Sequence, residues 1–300
     1  MRKRALYMLV SLLSIFTIIS GCELQDGRRS VVAKDATIDS LAGGFIFTEG
    51  PASDSQGNVY FTDIPENKIY KLTPERKLET LIKNSGNANG LYFDKKGNLI
   101  ACQTRQARIV SITMGAEDFG KITVLADTYD GKVFNATNDL WIDPEGGVYF
   151  TDPRYGGANE EQDGEHVYYI LPDRSKVIRV IDDMVRPNGI IGTPDGKKLY
   201  VADPGADKTY KYTINPDGTL SNKKLFAEEG SDGMTIDGEG NIYITSDAVK
   251  VYNKQGELIE SINVPERPSN VCFAGKDNRT LFITARTSIY SIRMRVSGAS

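Results

Sequence analysis

Apolar residues along this chain come in runs of four or five separated by polar turns, and nowhere with the sustained period of a helix. One longer pattern recurs six times: an oxygen-bearing residue opens a short apolar strand, a polar turn follows, and a second apolar strand closes the unit. The units start at Glu49 (EGPASDSQGNVYFTD), Asn89 (NGLYFDKKGNLIACQ), Asn138 (NDLWIDPEGGVYFTD), Asn188 (NGIIGTPDGKKLYVAD), Asp232 (DGMTIDGEGNIYITS) and Asn270 (NVCFAGKDNRTLFITA). Their separations of 40, 49, 50, 44 and 38 residues suit a propeller blade and exceed a leucine-rich repeat. The second strands VYFT, LIAC, VYFT, LYVA, IYIT and LFIT are rich in residues that favour a pleated sheet. A third strand reads at 68–72, 108–112, 166–170, 209–212 and 288–292, and a fourth at 78–82, 123–126, 176–182 and 258–263.

Four-stranded units in this number have to close on themselves, because an open stack leaves bare edges and an uncovered inner face. The pattern therefore predicts an all-β chain, a single six-bladed β-propeller over residues 36–300, in preference to a sandwich or a β-helix. Residues 36–38 and 45–48 are strand-like and precede the first unit. They are expected to complete the last blade and so close the ring.

The first 21 residues are of another kind, a basic MRKR followed by the apolar ALYMLVSLLSIFTIIS. This is an export signal. ISGC, ending at Cys22, resembles the lipobox of bacterial lipoproteins, in which the cysteine is acylated. The reading is a signal over 1–21, a lipidated Cys22 with a polar tether over 22–35, and an exported protein anchored to a bacterial membrane. A plain signal peptide or a membrane helix is the alternative, although a span needs about 20 apolar residues and this run contains Ser11, Ser14, Thr17 and Ser20. The rest of the chain carries 33 basic and 40 acidic side chains, a balance that gives nucleic acid no purchase. Cys102 and Cys272 fall on non-adjacent blades and are expected to be buried free thiols.

In a propeller the innermost strand of each blade starts at the face where the next strand ends. Two sets of residues therefore converge on one mouth of the channel: Glu49, Asn89, Asn138, Asn188, Asp232 and Asn270, then Asp63, Gln103, Asp152, Asp203, Ser246 and Ala285. Two carboxylates and four amides in the first set form an oxygen-rich collar suited to Ca²⁺, with Mg²⁺, Mn²⁺ or Zn²⁺ as alternatives. For each Asn-Gly or Asp-Gly alone, turn chemistry is a sufficient account. Glu49 has no such preference for turns.

The segments FTEGPASDSQGNVYFTD, FNATNDLWIDPEGGVYFTDPRYG, RPNGIIGTPDGKKLYVAD and SDGMTIDGEGNIYIT resemble the gluconolactonase, senescence marker protein (regucalcin) and luciferin-regenerating enzyme family, over about residues 40–295. The resemblance implies a six-bladed propeller that hydrolyses lactones, commonly of sugars, with one divalent ion in the channel. It implies Glu49, Asn188 and Asp232 as metal ligands, and Asn138 as a fourth ligand or a substrate contact. Asp203 matches a recurring aspartate and is the first choice of general base, with Asp232 as alternative base or nucleophile. Substrate contacts are sought in Asn89, Arg105 and Arg154, with Arg108 and Tyr155 nearby. His166, the one histidine, reads as structural, and Trp141 as core between blades. No GxSxG nucleophile elbow occurs. Two other functions stay open: a non-catalytic binding or scaffold propeller with a structural ion, and a hydrolase of aryl esters or phosphotriesters on the same metal.

Overall fold

The computed structural model describes residues 30–299. The expected export signal and the proposed lipidation site, Cys22, lie outside the described residues. Six four-stranded antiparallel sheets surround a channel, and five of them run from an inner to an outer strand in chain order. The first blade is Thr48–Ser53, Val59–Asp63, Lys68–Leu72 and Leu78–Lys83. Inner strands of the next four are Ala88–Phe93, Leu140–Ile142, Ile190–Gly192 and Met234–Ile236. The expected propeller is what forms.

The sixth blade joins both ends of the chain. Asn270–Ala274, Thr280–Ala285 and Ser288–Arg293 supply three strands, and Asp39–Gly43 is the outer one, with Asp39 opposite Ser291 and Gly43 opposite Ser288. The closing strand thus lies between the two segments chosen from sequence. DSLAG is small and polar because an outer strand needs its backbone more than its side chains, and it buries little. Residues 45–48 do other work: Phe45 packs edge-on against Phe61 at 5.3 Å and Tyr70 at 5.2 Å. Residues 30–35, read as tether, also pack on the propeller. Val31 is buried, and the backbone of Ala33 and Val31 bonds that of Arg293 and Arg295.

Neighbouring blades meet through aromatic and branched side chains that alternate inward along the strands. Trp141, Tyr149, Ile191 and Tyr200 share one core between the third and fourth blades, as expected for Trp141. A Cβ at Gly192 would stand 2.3 Å from the Trp141 ring, so glycine alone fits there. Threonines near the ends of second strands stitch blade to blade: Thr62 Oγ1 donates to the Asn89 carbonyl at 3.2 Å and Thr245 Oγ1 to that of Ser269 at 2.8 Å. Cys102 takes this place in the second blade as a fully buried thiol, whereas Cys272 is only partly covered.

Candidate active site

A residue at or next to the end of each second strand opposes two inner-strand residues instead of one. Thus Thr151 bonds both Asn138 and Asp139, Ala202 both Asn188 and Gly189, and Thr245 both Asp232 and Gly233. The first two blades show the same register shift after Glu49 and after Ala88. This bulge turns the first residue of each pair into the channel mouth and the second one level deeper.

In the sixth blade Thr284 bonds Ser269 and pairs with Asn270, so Ser269 belongs to the mouth ring and Asn270 to the deeper one. Asn270, expected at the mouth, lies one level deeper, because the sixth unit carries two neighbouring polar residues and the first, Ser269, takes the mouth position. The same shift moves Cys272, which faces Phe282 as Ala52 faces Tyr60 and Thr235 faces Tyr243. The mouth ring is Glu49, Asn89, Asn138, Asn188, Asp232 and Ser269. Beneath it lie Gly50, Gly90, Asp139, Gly189, Gly233 and Asn270.

Glu49, Asn89, Asn138 and Asn188 are buried and Asp232 half-buried. Asn188 Nδ2 donates to Asp232 Oδ1 at 2.7 Å and to the Tyr155 hydroxyl at 2.8 Å. Its Oδ1 is buried with no hydrogen-bond partner among the described residues. Glu49 Oε2 accepts the Gly50 N–H at 2.7 Å and Asn270 Nδ2 at 3.0 Å. Burial pushes the Glu49 carboxyl well above the usual carboxylate range, and the charge of Asp232 pushes it further. Asp232 is likewise raised by burial, against the Asn188 hydrogen bond and the Arg286 and Arg267 guanidiniums.

Two mutually repelling carboxylates and an unsatisfied amide oxygen suit a hard divalent ion. Among the described residues no three His, Cys, Asp or Glu side chains cluster to hold one. An ion here would therefore depend on the Asn188 oxygen.

The sequence of residues 47–287 matches the family described as SMP-30/Gluconolactonase/LRE-like region. The chain belongs to this family. It is similar to the gluconolactonase of Zymomonas mobilis, 28% identical over 296 residues that cover 87% of this chain and 82% of the relative. It is also similar to the lactonase Drp35 of Staphylococcus aureus, 29% identical over 236 residues that cover 73% and 70%. A gluconolactonase structure from Xanthomonas campestris has a TM-score of 0.81 and 27% identity, covering 88% of this chain and 91% of that one.

Other residues singled out from sequence fall differently. Asp203 is buried, and its carboxylate accepts the backbone N–H groups of Val185 at 2.9 Å, Arg186 at 2.8 Å and Ala206 at 3.2 Å. Asp63 and Asp152 hold Ile46 and Phe47, and Asn135 and Ala136, in the same way. Each aspartate braces the two residues that stand three and two positions before Glu49, Asn138 or Asn188. With both oxygens so engaged, Asp203 is a brace for Asn188, and the geometry does not favour it as a base.

Arg154 turns into its own loop, donating from Nε to Asn135 Oδ1 at 3.2 Å and from Nη2 to the Gln162 carbonyl, so it is not presented to the channel. Its neighbour Tyr155 reaches the collar instead. Arg108 is held by Gln103 Oε1 at 2.6 Å, while Arg105 is exposed on the turn after the second strand of its blade. His166 is buried against Asp163 and Arg179. Sequence reasoning missed Asp139, Arg267 and Arg286. A signal for Asp139 was available: NDL puts an aspartate where four other units have glycine.

Beside Asp232, a cleft of about 700 Å³ is lined by Tyr155, Ser246, Lys250, Arg267 and Arg286 among others, and Asp232 is the mouth residue it reaches. That is ample for a sugar-sized molecule.

Proposed function

We propose that this protein hydrolyses a lactone of a polyhydroxy acid at the mouth of its channel, with one divalent cation held by Glu49, Asn188 and Asp232. The observation that carries the reading is the buried, unpartnered Asn188 Oδ1 next to Asp232, in a chain of the gluconolactonase family. All the donors are oxygens, which suits Ca²⁺. When bound, such an ion supplies Lewis acidity toward the lactone carbonyl.

The chain's own groups divide the remaining work. Asp232 lines the cleft and keeps Oδ1 on the Asn188 amide, leaving Oδ2 to take a proton from the attacking water. Arg267 and Arg286 favour its ionised form. Tyr155 accepts the Asn188 N–H, so its own hydroxyl hydrogen is free to donate to a substrate oxygen. Burial pushes the Tyr155 pKa up to about 12, which keeps that hydrogen in place near neutrality. Asn138 and Asn89, whose amides bond no protein group among the described residues, and Arg105 on the rim would orient the polyol. Export and acylation of Cys22 belong to the same proposal.

The test is a pH-stat assay of an aldonolactone panel with protein stripped by EDTA and refilled with each divalent ion. Loss on stripping and recovery with Ca²⁺ are expected. Equal rates with and without metal would overturn the ion, and inertness toward every lactone would overturn the activity.

A further inference from the structure

Beneath the mouth, four of the six deeper positions are glycine, and space requires it. A Cβ on Gly50 would stand 1.9 Å from the Asn89 carbonyl oxygen, on Gly90 2.6 Å from Asp139 Oδ1, and on Gly233 1.9 Å from Asn270 Cγ. The glycines make room for the two side chains the level does carry, Asp139 from the third blade and Asn270 from the sixth, which face each other across the channel.

Their hydrogen bonds are directional. Asn270 Oδ1 accepts the Val271 N–H at 2.8 Å, which fixes the amide orientation and commits Nδ2 to the channel. One Nδ2 hydrogen goes to Glu49 Oε2 at 3.0 Å. Asp139, whose carboxyl pKa burial raises and the Asn270 amide lowers, accepts the Leu140 N–H at 2.9 Å. Asn270 therefore ties a carboxylate of the first blade to the sixth and lies beside one of the third. Glu49 is a long, flexible acid, and Oε1 has no hydrogen bond among the described residues.

We infer that Asn270 is a positioning residue for the cation site: fixed through Val271, its amide holds Glu49 in place so that the carboxylate is already set when the ion arrives. The inference rests on the metal reading above and adds a residue that would touch neither ion nor substrate. Partners of this kind around a metal ligand typically govern affinity by about 10- to 100-fold.

Titration calorimetry of metal-free protein with Ca²⁺ tests this without reference to turnover. Asn270→Gly installs the residue that four other blades use at this level. It should raise the Ca²⁺ Kd about tenfold or more and leave KM for a lactone at saturating Ca²⁺ unaltered. The lost Val271 N–H bond lowers the melting temperature in EDTA in either case, and a purely structural role would stop there and spare the Kd. Asn270→Leu keeps the volume but removes the Nδ2 donor to Glu49, and should weaken Ca²⁺ in the same direction. An Asn270→Gly Kd within about twofold of wild type overturns the inference, and if that variant does not fold, the same criterion applies to Asn270→Leu. Wild-type protein that binds none of Ca²⁺, Mg²⁺, Mn²⁺ or Zn²⁺ would remove the metal reading itself, and this inference with it.

Discussion

The Asp203 carboxylate accepts the Arg186 N–H at 2.8 Å, two residues before Asn188 enters the channel mouth. Replacing Asp203 by alanine should therefore act through Asn188. The expected outcome is a lower melting temperature and weaker Ca²⁺ binding, with each lost backbone bond costing about 1 kcal/mol or more. A general base would give the opposite pattern, an unchanged Kd with a collapse in kcat. Calorimetry and steady-state kinetics on one preparation decide between them.

Asp232 joins both proposed tasks, ligand and base. Asp232→Ala should lose ion retention and lower kcat/KM by roughly 10²–10⁴ or more. Asn188→Ala, which removes the unpartnered oxygen, should weaken Ca²⁺ binding without removing the base. Elemental analysis after gel filtration, paired with the pH-stat assay, checks both. Full activity in Asp232→Ala would remove it from the site.

Asp152 predicts a pH dependence. It is fully buried, and burial raises its pKa to about 7 despite the Asn135 and Ala136 N–H groups it accepts. The folded value lies above the unfolded value of about 4, so the folded state holds this proton more tightly. Its contribution to stability is full below pH about 4 and is lost as pH rises through about 7. In EDTA, stability should fall between pH 5 and pH 8 by roughly 3 kcal/mol from this group. Asp152→Asn should flatten that slope. Urea denaturation at both pH values measures the difference, and equal slopes would refute the assignment.

The proposed anchor has its own test. Labelled fatty acid should enter the membrane-bound protein and disappear with Cys22→Ser. Incorporation that survives the substitution would place the lipid elsewhere or remove it.

The blades were legible because their inner and second strands bury nearly every side chain, and burial imposes a sequence pattern. Asp39–Gly43 was misplaced by a few residues since an outer strand is recognised by its backbone. Glu49, Asn138, Asn188 and Asp232 could be found as the polar interruptions that start each apolar run. Ser269 was hidden by Asn270 beside it, because only the bulge tells which of two neighbouring polar residues faces the mouth. Asp203 and Arg154 lie otherwise than their spacing suggests, for a different reason. Position brought each close to the channel, but local backbone groups offered nearer partners than any substrate, and no spacing in the sequence reveals that competition.

The outer strand of the sixth blade also has a consequence in time. It is made before any blade, and its partner, Ser288–Arg293, is made after nearly all the rest. The ring can therefore close only late, through a contact between the two extremes of the chain, and such contacts form slowly. Glu49 and Asp232 stand on the two blades that flank this composite one. A nascent chain would accordingly assemble its ion collar as one of its last acts, and a protease that frayed residues 39–43 would disable the site without cutting near it.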